Sequence, residues 1–148
     1  GDSAPSLVAI AGLAGSKGTL YLGGETGAAD AGVLDVEEVR FGAGDGTLVF
    51  NHTTQDYQFL PVFNGDGRIE HRAGDTVLNG ASAGFTGTTE LTGGTLTLAA
   101  DQALGDGTLA LEGGTLATRG NLTLANDIVQ NTDTTLLPVP PRLPATWI

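Results

Sequence analysis

A short phrase of the form Gly-Thr-Leu-x-Leu returns along this chain and constrains its fold more than any other feature. Leucines at alternate positions predict short strands with one aliphatic face, and the glycines between copies predict sharp turns. Because no such strand buries its leucines alone, we expect successive coils to stack into a solenoid with a continuous aliphatic column. The copies are Gly18-Thr19-Leu20-Tyr21-Leu22, Gly94-Thr95-Leu96-Thr97-Leu98, Gly107-Thr108-Leu109-Ala110-Leu111, Gly114-Thr115-Leu116 and the variant Asn121-Leu122-Thr123-Leu124.

Charge and composition argue against several classes of binding partner. Six Lys and Arg residues stand against 17 Asp and Glu residues, for a net charge of −11. Such a surface repels phosphate backbones and anionic head groups, so nucleic-acid and membrane-surface binding are disfavoured. The chain has no cysteine and no run of about 18 apolar residues, so we expect neither disulfides nor direct membrane insertion. It begins at Gly1 rather than Met, and we expect it to be a piece of a longer protein.

The segment 32–41 contains the pair Glu37-Glu38, the strongest candidate for catalytic carboxylates. Glycosidases use two carboxylates that flank one bond. Adjacent strand residues point to opposite faces, however, so this pair meets that need only at a bulge, and a solvated corner is favoured. Such a corner would turn all four apolar side chains of the segment inward, namely Leu34, Val36, Val39 and Phe41.

Other possible nucleophiles and bases are few. Gly1-Asp2-Ser3 resembles a protease or esterase nucleophile turn, but Ala4 follows where a protease has glycine, and no histidine lies after His71. A polar chain end is the favoured interpretation. His52 and His71 have no partner at metal-ligand spacing and are predicted to be polar strand or loop residues. The aromatic residues between Phe41 and Phe63 are predicted to stack in the core rather than to bind sugars.

Two features of the sequence resemble calcium-binding motifs, but neither meets the full requirements of its motif. Asn64 to Ile69 resembles the middle of an EF-hand loop, but the first and last ligand positions hold Val62 and Ala73. Gly-Asp-Gly turns at three places suggest a calcium-binding β-roll, which needs tandem nonapeptide repeats. These turns are centred on Asp45, Asp66 and Asp106, too widely and unevenly spaced for such a roll, and are predicted to be corners.

The order of the phrases from 44 to 118 resembles the passenger repeat of bacterial autotransporters of adhesin type, which use type V secretion. The segment 32–41 is similar to the strand that usually precedes this repeat. The resemblance implies an all-β fold, a right-handed parallel β-helix; at roughly 20 to 25 residues per coil we expect about six coils. The phrases that carry it are Gly44-Asp45-Gly46-Thr47-Leu48-Val49-Phe50-Asn51-His52, Ala73-Gly74-Asp75-Thr76-Val77-Leu78-Asn79-Gly80, Leu91-Thr92-Gly93-Gly94-Thr95-Leu96 and Ala103-Leu104-Gly105-Asp106-Gly107.

Residues 1–136 are expected to form a single β-helix segment, and 137–148 a tail or linker rich in proline. The chain departs from the family pattern at Glu70-His71-Arg72, where a Lys-containing strand is common. The β-barrel translocator expected downstream in the same polypeptide is not in this sequence.

The resemblance implies a non-catalytic surface scaffold that aids passenger folding and secretion, at the cell surface or released from the outer membrane. An adhesive module that binds host cells or itself is the alternative, through an exposed Thr and Asn stripe or the loops 28–32 and 51–56. A polysaccharide-active enzyme is a further alternative, disfavoured by the few cationic residues. We predict no catalytic, cofactor-binding or metal-binding residues.

Overall fold

The computed structural model describes residues 7–13, 15–24, 27, 29–30, 36–82, 84–119, 126–130 and 135–137. The strands in these ranges are β1 Leu7–Ile10, β2 Lys17–Gly23, β3 Glu38–Phe41, β4 Asp45–Asn51, β5 Tyr57–Phe59, β6 Val62–Asn64, β7 Arg68–Ala73, β8 Asp75–Leu78, β9 Thr88–Leu91, β10 Thr95–Leu98, β11 Thr108–Leu111, β12 Thr115–Thr118, β13 Asp127–Gln130 and β14 Thr135–Leu137. The predicted strand at 121–124 and the tail after residue 137 lie outside the described residues.

These strands form three parallel sheets. Their orders are β1-β3-β6, β14-β12-β10-β8-β5 and β13-β11-β9-β7-β4-β2. The consecutive strands β6, β7 and β8 each belong to a different sheet, and each strand pairs with a strand one circuit away. The chain therefore winds as a parallel β-solenoid, and the predicted all-β, parallel architecture is confirmed.

The solenoid has about four turns, fewer than the six coils predicted. Arg68 of β7 pairs with Thr88 of β9, which defines the length of a regular coil. Lys17 of β2 pairs with Asp45 of β4, so the first circuit is longer than this coil. The prediction divided the whole chain by a uniform coil length, whereas the circuits differ in length and parts of both ends lie outside the described ranges.

The predicted aliphatic column lies on the face of the six-stranded sheet that points into the solenoid. One inward position is occupied on successive strands of this sheet by Leu20, Leu48, Ile69, Thr89, Leu109 and Ile128. All of these except the half-buried Leu20 are buried. On the neighbouring sheet Leu96 and Leu98 of β10 are fully buried as well. Each coil thus buries its leucines against the coils beside it, as the repeated phrase predicted.

Thr89 is the polar member of this column, and its hydroxyl gives the first prediction. The side chain is 1% exposed, and its Oγ1 has no hydrogen-bond partner. A buried hydroxyl without a partner keeps its full desolvation cost, about 1 to 3 kcal/mol. We expect Thr89→Val to raise the free energy of unfolding by about 1 kcal/mol, measured by urea denaturation at neutral pH. A lower stability would mean that the hydroxyl has a partner after all.

The aromatic residues pack in the core, as predicted. Phe59 stacks on Phe63 with ring centroids 5.3 Å apart, and Phe50 meets Phe59 edge-on at 5.2 Å. These rings are buried, so they offer no platform to a ligand. Leu60, which follows β5, is instead 68% exposed.

The Gly-Asp-Gly turns stack on one another at a single corner. The registers of β4, β7, β9 and β11 place Asp45, Asp66 and Asp106 at equivalent positions, with Thr86 in the intervening coil. Asp45 and Asp66 are therefore one coil apart, and Asp66 and Asp106 are two coils apart, which explains their uneven spacing in the sequence. Asp66 and Asp106 lie in a bend and a turn, as predicted, but Asp45 is already the first residue of β4.

Glycines flank these aspartates because adjacent coils touch there. A Cβ on Gly87 would overlap the backbone oxygen of Gly67, and a Cβ on Gly107 would overlap that of Gly87. For Gly87 and Gly107 the requirement is close approach, since neither has a positive φ, whereas Gly65 and Gly105, which precede Asp66 and Asp106, have φ of +99° and +65° and also need glycine for backbone conformation. This corner sets how closely the coils approach.

Candidate functional site

His52, His71 and Thr76 meet inside the solenoid. His52 follows β4, His71 lies in β7 and Thr76 lies in β8. Their exposed fractions are 1%, 0% and 0%. His71 lies in a strand and His52 directly after one, in keeping with the prediction of polar strand or loop residues, but both side chains point into the core, which the sequence did not predict. The two imidazoles and the hydroxyl are thus shielded from solvent by the surrounding coils.

A shift in strand register brings the two histidines together. Phe50 pairs with His71, but Asn51 pairs with Ala73, so β7 carries one extra residue at this point. Irregularities of this kind re-aim side chains beside the extra residue. His52 then lies against the interior, and its ring centroid is 6.2 Å from that of His71.

Thr76 was missed in the sequence, although the repeat carried a signal for it. Register aligns Thr76 with Leu96 of the next coil, and it aligns His71 with Leu91. Polar residues therefore occupy two positions where the following coil has leucine. Comparing the coils position by position, rather than searching for ligand spacings, would have linked these residues.

The hydrogen bonds of the network run in one direction. Thr54 donates its backbone N–H to His52 Nδ1 at 3.2 Å, so His52 Nδ1 carries no proton. His71 Nδ1 lies 2.9 Å from the carbonyl oxygen of Gly93, which only accepts, so this nitrogen carries the proton. The two neutral rings are therefore opposite tautomers.

Thr76 joins these two tautomers. Its Oγ1 lies 2.7 Å from His52 Nε2 and 2.9 Å from His71 Nε2. The protonated Nε2 of His52 donates to the hydroxyl, and the hydroxyl donates to the bare Nε2 of His71. Both nitrogens of each ring have a partner, so the network carries no unpaired imidazole nitrogen.

Aromatic rings and a glycine enclose the network. Tyr57 meets His52 edge-on at 5.1 Å, and Phe50 lies 5.7 Å from His71. Gly74 has a φ of +100°, and a Cβ there would overlap the ring of His52. The sequence Ala73-Gly74-Asp75 thus turns the chain and leaves room for the imidazole.

Burial keeps both histidines neutral at pH 7. Desolvation lowers the pKa of His71 to about 4, against smaller upward effects of its hydrogen bond to Gly93 and of Asp75. Desolvation likewise lowers the pKa of His52, although the charges of Asp75 and Asp30 oppose this. An uncharged state is what the two tautomers require.

Of the paired glutamates, Glu38 is held by hydrogen bonds to neighbouring side chains. Glu38 begins β3 and accepts hydrogen bonds from Arg40 Nε at 2.8 Å and Asn64 Nδ2 at 3.0 Å. These two hydrogen bonds lower the pKa of Glu38, and the bond from Arg40 has the larger effect. A carboxylate held ionised in this way is a poor proton donor. Glu37 is exposed at the bend before β3, which agrees with the predicted corner, and Leu34 lies outside the described residues.

The described residues contain no group of three or more His, Cys, Asp or Glu side chains placed to hold a metal ion. Nor does this described part of the chain contain a helix with the length and apolarity to cross a membrane. Gly1-Asp2-Ser3 lies outside the described residues.

A search of known proteins finds a similar stretch in the uncharacterized lipoprotein YdeK of Escherichia coli (strain K12). The two are 40% identical over 97 residues, which is 60% of this chain and 7% of that protein. The chain thus corresponds to a small part of a much longer relative. No family model and no solved structure matches the chain.

Proposed function

We propose that this chain is a non-catalytic segment of the passenger of a Gram-negative autotransporter, acting as a surface scaffold and aiding passenger folding and secretion. The observation that carries the proposal is the unbroken pairing of coil to coil from β2 to β13. Each coil presents a free edge that hydrogen bonds the next, so a coil that has emerged across a membrane templates its successor. We further infer a right-handed winding, the sense that parallel strands joined by crossovers nearly always take.

Burial of leucine side chains makes this coil-by-coil folding proceed in one direction. The inward leucines of a docked coil, such as Leu109 and Leu111, are completely buried. Burial is worth about 0.8 kcal/mol per methylene before chain entropy is subtracted. Backward slippage of a docked coil would expose these side chains again. Folding outside the cell therefore opposes return of the chain without a nucleotide-driven motor.

The similarity to a lipoprotein supports a place in the cell envelope. Lipid anchoring holds a protein at a membrane surface, which agrees with a cell-surface location for a related segment. The short overlap transfers no activity from that protein. The downstream β-barrel translocator is the partner that this proposal requires.

Deletions in the parent passenger test the scaffold. Removing residues 64–118 is expected to reduce surface display and the protease resistance of the passenger, because most of the stacked coils are lost. Unchanged display and resistance would overturn the proposal.

Coil register provides a matched pair of smaller deletions. Removing 88–107 takes out one complete coil and joins Gly87 to Thr108, which keeps register because Thr89 pairs with Leu109. Removing 88–97 takes out half of this coil. The whole-coil deletion is expected to preserve display far better, and equal loss from both would contradict templating.

An adhesive role is a second candidate, supported by a column of outward-facing side chains, mostly threonine, on the six-stranded sheet. Register stacks Thr19, Thr47, Arg68, Thr88 and Thr108 on successive strands of this sheet. Regular hydroxyls on a flat face suit contact with glycans or with a second copy. Binding of the purified chain to host cells, abolished by T47K/T88K/T108K with unchanged circular dichroism, would support this role. Absence of wild-type binding and self-association would remove it.

A further inference from the structure

The histidine network connects three consecutive coils. Thr54 and His52 follow β4, His71 and Thr76 belong to the next circuit, and Gly93 lies in the circuit after that. Each bond has one donor and one acceptor, and every imidazole nitrogen is used. The direction of the chain of bonds is fixed at both ends, by the N–H of Thr54 and the carbonyl of Gly93.

Adding a proton to either ring breaks this order. A protonated His52 would carry a hydrogen on Nδ1, which faces the N–H of Thr54, so two donors would oppose each other. A protonated His71 would carry a hydrogen on Nε2, which faces Thr76 Oγ1, and the hydroxyl hydrogen would lose its acceptor. In both cases a positive charge also remains in the core.

The charged and titratable groups around the network lie at its edge. Asp75 of β8 interacts with both imidazoles, and Asp30 interacts with His52 and accepts a hydrogen bond from Thr54 Oγ1 at 3.2 Å. Tyr57 of β5 faces His52 with its ring. β4 contributes the neutral ring of Phe50. The two carboxylates favour imidazolium, but the ring nitrogens are already hydrogen bonded to neutral groups.

We propose that His52, Thr76 and His71 form an acid-sensitive latch between coils, which holds the corner after β4 against β7 and β8 at neutral pH and releases it when an imidazole is protonated. Release frees both rings to reach water, near Asp30 and Asp75. The latch acts on local opening, and the stacked leucines of the later coils hold the remaining solenoid together.

The pH range of release follows from the histidine shifts. Because the pKa of His71 is about 4 in the closed network and about 6.5 when exposed, closure is fully favoured above pH 6.5 and weakens as pH falls toward 4. The ratio of these two acid constants, about 300, is the upper limit of the rise in the opening constant, and between pH 6.5 and 4 the rise should be about 80-fold. Protonation of His52 acts in the same direction.

Two measurements on the 148-residue chain test the latch. Imidazole nitrogen NMR resolves the only two histidines and is expected to show the Nε2–H tautomer for His52 and the Nδ1–H tautomer for His71 at neutral pH. Amide hydrogen exchange, corrected for intrinsic rates, is expected to show faster opening of residues 51–54 and 71–76 as pH falls from 6.5 to 4. Residues 96–98 and 109–111 should remain protected.

The triple variant H52L/H71L/T76V is the control, since it keeps every carboxylate but has no latch. It is expected to lose the pH dependence of opening at 51–54. If it opens in acid as the wild type does, the acidic side chains are responsible and the latch is wrong. If the triple variant does not fold, wild-type NMR decides alone. Titration of both histidines near their ordinary pKa with local exchange unchanged would overturn the proposal, and titration at lower pH coupled to opening would support it.

Discussion

Thr76→Val is expected to lower the free energy of unfolding by about 2 to 4 kcal/mol at neutral pH. Valine has nearly the same shape as threonine, so packing against β10 is preserved. The hydroxyl, however, accepts from His52 and donates to His71, and its loss leaves two buried imidazole nitrogens without partners. The cost is the desolvation of both groups, and urea denaturation followed by circular dichroism measures it.

The matched control is Thr89→Val, which makes the same chemical change at another buried position. The Thr89 hydroxyl has no partner to lose, so the two substitutions are expected to change stability in opposite directions. A third variant, Thr76→Ser, keeps the hydroxyl and should retain much of the stability. A loss of stability in Thr76→Ser with little change in Thr76→Val would show that the methyl group matters and the hydrogen bonds do not.

Gly87→Ala is expected to destabilise the protein by about 3 kcal/mol or more. A methyl group at this position would overlap the backbone of Gly67 in the neighbouring coil. A flexible side chain could move away, but a backbone held between paired strands cannot retreat without breaking interstrand hydrogen bonds. Thermal and urea denaturation at neutral pH measure the loss.

Gly12→Ala provides the comparison for this corner. No atom lies within 4 Å of a Cβ placed on Gly12, and its φ is not positive. Reduced freedom of the unfolded chain should make this variant neutral or slightly more stable. If both alanine variants lose the same stability, a general effect of replacing glycine explains the result, and contact between coils does not.

The fold could be predicted because its signal repeats. The leucines of β10 and β11 alternate with smaller residues, and the glycines between the strands mark the turns. Each coil therefore adds independent support for the same architecture. The count of coils was less secure, since the circuit from Lys17 to Asp45 is longer than the later ones and only strand pairing shows this.

The histidine network could not be read in the same way. The spacing of His52 and His71 in the sequence resembles no ligand motif, and the register shift between Phe50 and Asn51 has no clear mark in the sequence. Spacing within one strand says little about contacts between coils. What the sequence did contain was a pair of polar residues at positions equivalent to Leu91 and Leu96, which becomes visible once register is known.

The long first circuit has a consequence for engineering. Between β2 and β4 the chain takes a longer path than in later coils, yet Leu20 still pairs with Leu48 and Leu22 with Phe50 in regular register. The extra length therefore does not disturb the register of β2 and β4. A foreign peptide inserted at Gly27, where no atom lies within 4 Å of an added Cβ, is expected to leave the pairing of β2 with β4 intact, which makes Gly27 a position for epitope grafting.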